Sequence, residues 1–512
     1  MNTKLLTFAL ITLSNLALTQ VEWGYSTTGT FSATGNTVLT DTDENVYFLG
    51  QSTSTFDLDP GPEELLSAGN KYYLQKLSPD GELIWAVTNS RSTTDMTRDT
   101  AGNLYVTGYF AVTDHFYDIY IDKFDPLGNY LWRKSFGGEE VEFARGITMD
   151  ASNNILLTGQ FKKNVDFDPG PDEHWLVCES SQDVFILKLD SDGNYVNVQH
   201  IGGFGTTYSS NICTDLQNNV YITGIYRDSI NFYNEPEGFT LTDHAINQNL
   251  FVVKFDSTFN YQWSKKLGQS RSFREQQFAV DEDQNVYVSI FNTDEFQLIK
   301  IDVTGTETVL ASLNSVPVNE DIREPIVTYD YNSKNLYIAE HQGRRIRVSK
   351  CDKNGTLLNY KLIVGTSTIL INEIAVGVGE KVYLTGLFHG EITAPNLDGT
   401  SKLIADDSYL TDSGDSTPDA LQIKMDLTGT IEYPKPADLI LWPNPTSSVI
   451  HFENDPTKSG KVHLYDSSGR LILVDDFYKR YFSLNVSSIA AGTYVLHFEY
   501  DGELIIKQFI KF

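Results

Sequence analysis

Asp99-Thr100-Ala101-Gly102-Asn103-Leu104-Tyr105-Val106-Thr107-Gly108, followed by Lys123-Phe124-Asp125-Pro126-Leu127-Gly128, is one copy of a pattern that returns seven times in this chain. The anchors after the first turn are Tyr47, Tyr105, Leu156, Tyr221, Tyr287, Tyr337 and Tyr383. The lysines that follow are Lys76, Lys123, Lys188, Lys254, Lys300, Lys350 and Lys424. Asp stands two residues beyond six of these lysines, and Gly five residues beyond six; Ser78 and Phe259 are the exceptions. A tryptophan then recurs at Trp85, Trp132 and Trp263.

Each part has a local reason. Asp and Asn bracket tight turns because their side chains cap backbone N–H groups, and Asn tolerates positive φ. The apolar run after each Asn is short and β-prone, as a buried strand is. Asp-x-x-Gly supplies a second hairpin. In the third copy the pattern predicts strands over 146–149, 155–158, 184–189 and 195–199. Four strands per unit, at a period of roughly fifty to sixty-odd residues, is the signature of a β-propeller blade. Long polar insertions in the first, third, fourth and seventh copies fall between second and third strands, and are expected on a face, where ligands bind. The segment around Trp23 reads as the fourth strand of the seventh unit, closing the ring and removing exposed sheet edges. The expected fold is therefore all-β: a seven-bladed propeller over residues 20–433, then a linker at 434–438 and a small Ig-like β-sandwich over 439–512.

Residues 1–19 read as a signal peptide, with Lys4, an apolar stretch from Leu5 to Leu18, and small residues at Ala17 and Thr19. It is too short and too polar at Ser14 and Asn15 for a transmembrane span, and no other stretch is long enough. The net charge of −30 argues against a nucleic-acid partner, because phosphates are repelled. Cys178, Cys213 and Cys351 are far apart and odd in number, so they form neither a disulfide framework nor a metal motif.

Past Tyr433-Pro434-Lys435-Pro436 the repeat stops. Short alternating strands follow, separated by turn signals such as Ser467-Ser468-Gly469 and Ala491-Gly492. This tail resembles the type A C-terminal sorting domain of the bacterial type IX secretion system. The resemblance rests on Trp442-Pro443-Asn444-Pro445, Val462-His463-Leu464-Tyr465-Asp466 with Gly469-Arg470, Ala491-Gly492-Thr493-Tyr494-Val495, and Lys507-Gln508-Phe509-Ile510-Lys511. Trp442 stands where the family usually has Tyr or Phe. The resemblance implies Pro443, Asn444, Pro445, Gly469, Gly492, Tyr494 and Lys507 as sorting-motif residues. It also implies the type IX machinery as partner, export by Sec, and a secreted or outer-membrane-surface destination, with the tail commonly removed. The repeats in turn resemble bacterial propeller repeats that accompany such tails, including their Asp-Phe-Asp-Pro-Gly-Pro insertion, here Val165-Asp166-Phe167-Asp168-Pro169-Gly170-Pro171 and Phe56-Asp57-Leu58-Asp59-Pro60-Gly61-Pro62.

Those insertions carry the candidate metal ligands. Asp57 with Asp59, and Asp166 with Asp168, alternate along the chain and place oxygens around a hard cation such as Ca²⁺. The competing reading is an Asx turn feeding a Pro-Gly corner, and the missing calcium-loop Glu favours it. The acidic run from Asp406 to Asp419 reads as a mobile solvated loop ahead of a weak cation site, and the Arg344/Arg345/Arg347 cluster as basic residues paired with nearby acids ahead of a site for an anionic sugar. No catalytic motif stands out: the histidines are scattered, and there is no nucleophile elbow or phosphate loop. The expectation is a non-catalytic binding or scaffold protein for a glycan or protein, with no cofactor beyond calcium. The alternative is a secreted glycan-active hydrolase or lyase with its site at the channel mouth.

Overall fold

The computed structural model describes residues 21–27, 33–53, 55, 57–60, 65–67, 71–112, 116–178, 180–232, 239–243, 248–269, 277–292, 295–315, 324–341, 345–365, 369–388, 391–393, 403–404, 419–427, 441–442, 449–453, 460–466, 470–477, 481–500 and 503–511. The leader, the linker and residues 406–418 of the acidic run lie outside them. The chain divides into two compact units, Met1–Gly429 and Thr430–Phe512.

Among the described residues the first unit holds seven antiparallel four-stranded blades in meander order. The third blade is built from Phe143–Met149, Ile155–Phe161, Asp183–Leu189 and Tyr195–Gly202, close to the sequence expectation. Every residue of its second and third strands is buried. Both faces of each blade pack on a neighbouring blade, so these strands are continuously apolar rather than alternating. The first strand of every blade packs against the first strands of the blades before and after it, and that of blade 7 packs on that of blade 1. The ring is thus a closed β-propeller. Its last blade comprises Ile369–Val376, Lys381–Phe388, Asp419–Asp426 and the N-terminal strand Val21–Thr27, with Trp23 opposite Lys424.

One turn design carries the repeat. In blade 2, Asp99 Oδ1 accepts the N–H groups of Ala101 and Asn103 at 3.0 and 2.8 Å, and Oδ2 accepts Asn103 Nδ2 and the Tyr105 hydroxyl. The Asp41, Asp215 and Asp281 turns repeat this set. The positive φ falls one residue earlier than the sequence reading placed it, on Glu44, Gly102, Asn153, Asn218 and Gln284. The Asn side chain serves instead as the donor that locks the Asp carboxylate. Burial pushes the tyrosine phenols well above their ordinary value, so these hydroxyls stay donors.

Antiparallel strands put the two kinds of connection at opposite ends of the ring. First-to-second and third-to-fourth turns share one end, the hairpin end. The insertions and blade-to-blade crossings share the other. At the hairpin end each anchor pairs in register with its lysine, from Tyr47 with Lys76 through Leu156 with Lys188 to Tyr383 with Lys424. Several lysines then reach the next blade: Lys123 Nζ donates to Ser191 O at 2.9 Å, Lys188 to Ser257 O at 3.4 Å, Lys350 to Glu380 at 2.7 Å and Lys424 to Pro79 O at 2.9 Å. Trp85 Nε1 donates to Pro126 O, and Trp263 Nε1 to Val303 O, each at 3.2 Å. Gly128 has φ +82°, and a Cβ there meets the Trp85 indole at 2.8 Å, so one glycine serves both the turn and the latch.

The exceptions complement one another. Blade 3 has Leu156 for Tyr and Asn197 for Trp. The facing hairpin of blade 4 has Phe259 for Gly, at φ +69° and buried, in the same core cluster as Leu156. Asn197 Nδ2 donates to Thr258 O at 3.4 Å, keeping the latch in weakened form. The phenyl ring occupies space that Tyr and Trp fill elsewhere, and this repays a left-handed backbone that disfavours non-glycine residues.

Two insertions are not free loops. Asp228–Phe232 and Phe239–Asp243 form a hairpin on the outer edge of blade 3, pairing Ile201 with Phe232. Glu391–Thr393 and Leu403–Ile404 do the same on blade 6. Each covers the preceding blade's exposed edge strand, a position that a reading by length alone does not give.

The second unit has two antiparallel sheets. Leu441–Trp442, Val449–Glu453 and Tyr481–Asn485 form one, and Leu471–Phe477, Gly460–Asp466, Gly492–Tyr500 and Glu503–Lys511 the other. Their inward residues share one core, with Phe452 from the first and Phe498 from the second 4.5 Å apart between ring centroids.

The Phe259 complementarity predicts that Phe259→Gly destabilises the ring by about 2–4 kcal/mol through the cavity left in its core. Adding Asn197→Trp recovers part of the loss. Equilibrium denaturation of the single and double variants checks it; additive losses contradict the pairing.

Candidate functional site

The insertion-bearing end contains the Asp-Pro-Gly-Pro turns. Asp166 Oδ1 accepts the N–H groups of Asp168 at 3.1 Å and His174 at 2.8 Å, and Asp168 Oδ1 accepts Gly170 N at 2.7 Å. Asp57 Oδ1 accepts Asp59 N at 3.0 Å and Leu65 N at 2.9 Å. The alternation turns Val165, Phe167 and Leu58 into the core and the carboxylates toward their own backbone. Asp168 Oδ2 also lies 3.3 Å from His174 Nδ1, and the His174 ring stacks on Tyr195 at 3.7 Å. These are Asx turns in geometry. Among the described residues no three His, Cys, Asp or Glu side chains gather as a cation would need.

At the ring axis, first strands in five blades carry a bulge where a second-strand glycine faces them, as between Ala144 and Gly146 opposite Gly159. A Cβ on Gly159 lies 2.0 Å from Phe143 O, so the bulge requires glycine there. The bulges turn polar side chains toward the next blade: Asn36 Nδ2 donates to Thr93 O at 3.2 Å and Asn372 Nδ2 to Gly35 O at 2.7 Å. Asp95 accepts Met96 N, Ile147 N and the Thr37 hydroxyl, joining blades 1, 2 and 3. Burial pushes its carboxyl up to about 6. Its oxygens are used in holding strands together.

Two further clusters resemble catalytic chemistry. His200 Nε2 sits 2.8 Å from Asp183 Oδ2, while the Ser180 hydroxyl donates to Asp183 Oδ1 at 2.7 Å. The carboxylate stands between hydroxyl and imidazole, which reverses the order a serine nucleophile needs. Burial pushes Asp183 up, but the hydrogen bonds from His200 and Ser180 outweigh it and leave the carboxyl below its usual range. Burial also raises the Cys178 thiol, away from a reactive thiolate. Glu142, just before blade 3, is fully buried. Its Oε2 accepts Gly138 N at 3.1 Å, and its Oε1 has no partner among the described residues. Burial, with Asp118 nearby, pushes its carboxyl up to about 7. That suits a general acid in proton affinity, yet a carboxyl closed off from solvent reaches no glycan.

One open cleft of about 160 Å³ lies on blade 4 at the same end, lined by Thr206, Tyr208, Ile225, Tyr226, Arg227 and Gln248. Thr206 and Tyr208 come from the crossing and first strand, Ile225, Tyr226 and Arg227 from the end of the second, and Gln248 from the start of the third. Arg227 N donates to Thr206 O at 3.1 Å and fixes the rim. Phe204, two residues before Thr206, is 89 % exposed, yet its backbone is bonded on both sides to Ser229. Nothing in the sequence marked this cleft; Gly202-Gly203-Phe204-Gly205 reads only as a turn.

Of the tail residues, Tyr494 is buried and donates its hydroxyl to Ala490 O at 2.8 Å, and Gly492 opens the strand Gly492–Tyr500. Lys507 pairs with Leu496 in register. Pro443, Asn444, Pro445 and Gly469 lie outside the described residues. In blade 6 Arg347 does meet an acid, with Nη1 3.4 Å from Glu340 Oε2, both side chains buried.

Residues 440–511 match the secretion system C-terminal sorting domain family. A WD repeat-containing protein of Acanthamoeba polyphaga mimivirus, described as uncharacterized, is 24% identical over 182 residues, 31% of this chain and 13% of that protein. The chain therefore spans a small part of that relative's length. A protein from Lactobacillus plantarum matches 74% of this chain and 98% of its own at 12% identity and a TM-score of 0.42. TolB from Acinetobacter baumannii matches 64% of this chain and 78% of its own at 10% identity and a TM-score of 0.30. The tail is a type IX sorting domain and implies export. Among the described residues no helix is long and apolar enough to cross a membrane.

The Glu142 site sets a pH dependence. The folded carboxyl titrates above its unfolded value, so its contribution to stability is complete below about 4.5 and is lost as pH rises toward about 7. Glu142→Gln removes that loss. The variant gains on the order of 2 kcal/mol relative to wild type between pH 5 and pH 8. Denaturant midpoints across that range check it, and parallel pH curves contradict the burial of the charge.

Proposed function

We propose that this chain is an exported, non-catalytic binding or scaffold protein: a leader at 1–19, a seven-bladed ring over 20–433, a linker at 434–438 and an Ig-like sorting sandwich over 439–512. The ring meets a glycan or protein at its insertion-bearing end. The observation that carries this reading is the difference between the two ends. The hairpin end is consumed by Asp turns and by Lys and Trp bonds to the next blade. The other end has the insertions, the cleft on blade 4 and the exposed Phe204. Binding sites concentrate on variable connections held by a rigid scaffold. The buried state of Glu142 and the structural use of Asp95 weigh toward binding over hydrolysis at the axis.

The type IX machinery engages the tail, and the exported protein resides outside the cell or on its surface. Calcium at Asp57, Asp59, Asp166 and Asp168 competes with backbone N–H groups for one carboxylate oxygen of Asp57, Asp166 and Asp168.

A glycan array and a parallel hydrolysis assay on the purified chain test the ring's role. Retained ligands without turnover are expected, and steady release of product overturns the non-catalytic reading. Delivery is tested by truncation after Gly429 in a type IX-competent host. The closing strand Val21–Thr27 is N-terminal, so the truncated ring keeps its melting temperature while it stays in the periplasm. Normal surface delivery of the truncated chain contradicts the sorting role.

A further inference from the structure

The blade 4 cleft has the chemistry of a site for a carboxylate. Among the described residues the Arg227 side chain makes no ion pair or hydrogen bond, in a chain of net charge −30 where acids greatly outnumber bases. It is exposed at the lip of the cleft while its backbone is pinned to Thr206. Register places the half-buried Tyr208 opposite the buried Ile225 on the blade, so an aromatic side chain lines the cleft with Arg227, and Gln248 completes the rim. With no acid on it among the described residues, this guanidinium is open to a ligand that brings its own acid. The planar fork of guanidinium donors matches a carboxylate in bidentate fashion.

We propose that this cleft holds one uronic-acid-type residue of a glycan, with its carboxylate on Arg227, its ring against Tyr208 and a hydroxyl on Gln248. The inference rests on the reading of the ring as a glycan-binding protein and assigns the site and ligand class. Three features favour a sugar over a peptide acid. The cleft is open, so it takes one unit of a chain running across it. Its wall alternates aromatic and polar groups, as the two faces of a pyranose require. Its volume suits a single ring. The chain's own charge opposes a densely anionic polymer, so the fitting glycan carries carboxylates only at intervals among neutral sugars.

The test uses the full mature chain and two probes: a glucuronic-acid-containing oligosaccharide and the same oligosaccharide with its carboxyl reduced to the alcohol. Isothermal titration is expected to show at least tenfold tighter binding of the acid form. Arg227→Ala abolishes the preference without changing affinity for the neutral form, and Arg227→Lys keeps part of it. The melting temperature of Arg227→Ala stays at the wild-type value, because among the described residues its exposed side chain makes no hydrogen bond or ion pair. Equal affinity for both probes, binding of neither, or a preference that survives Arg227→Ala overturns the assignment. Array ligands that bind independently of Arg227 sink this site alone, whereas a chain that retains no glycan at all sinks the broader reading with it.

Discussion

Everything in the ring depends on a lysine held between strands. Each repeat pairs its anchor with that lysine in register, and in most blades the ammonium then leaves its own sheet and lands on the next blade's turn. Hydrogen bonds from a charged donor are worth about 1.5–3 kcal/mol each, but position matters more here than sum. The Lys and Trp donors need the neighbouring hairpin's carbonyls to face them. Those carbonyls face them where Asp, or Ser78 in blade 1, caps the turn and a residue at positive φ reverses the chain. Local turn chemistry and blade-to-blade coupling are one device. The cost falls on one end of the ring, which retains little freedom to vary.

At one junction the device changes on both sides at once. Leu156, Asn197 and Phe259 depart from the repeat together, and they meet at one junction between blades 3 and 4. The edge hairpins obey a related constraint. A four-stranded blade exposes an edge, and two of the insertions lie along such edges rather than over the axis. Covering an edge satisfies backbone groups and discourages pairing with another chain. Insertion length therefore says little about ligand contact. The hairpin that blade 4 lays on the outer edge of blade 3 begins at Asp228, directly after Arg227 leaves the second strand.

Chain order also keeps the tail apart from the closing strand. The ring is closed by its N-terminal strand, so the chain leaves it from the third strand of blade 7 rather than the outermost one. A tail attached there is separable from the closure of the ring. The tail has its own core, and it reuses the Asp turn: Asp466 accepts Arg470 N at 3.1 Å and its carboxylate meets the Arg470 guanidinium at 3.2 Å.

Repeat, blade count, closing strand near Trp23 and sorting tail were all legible in the amino-acid sequence, because each is written in spacing over a few residues. An Asp, an Asn four positions later and a buried Tyr two beyond define a turn whatever surrounds it. The Asx reading of Asp57, Asp166 and Asp168 belongs to the same class. Other features were decided only in three dimensions. The cleft joins residues 206, 208, 225, 227 and 248, from three strands brought together by register. Glu142 looks like any surface acid until Gly138 and the neighbouring blade enclose it. The place of the insertions follows from which sheet edge lies open beside them. Burial and convergence are properties of packing between distant segments, and no local spacing encodes them.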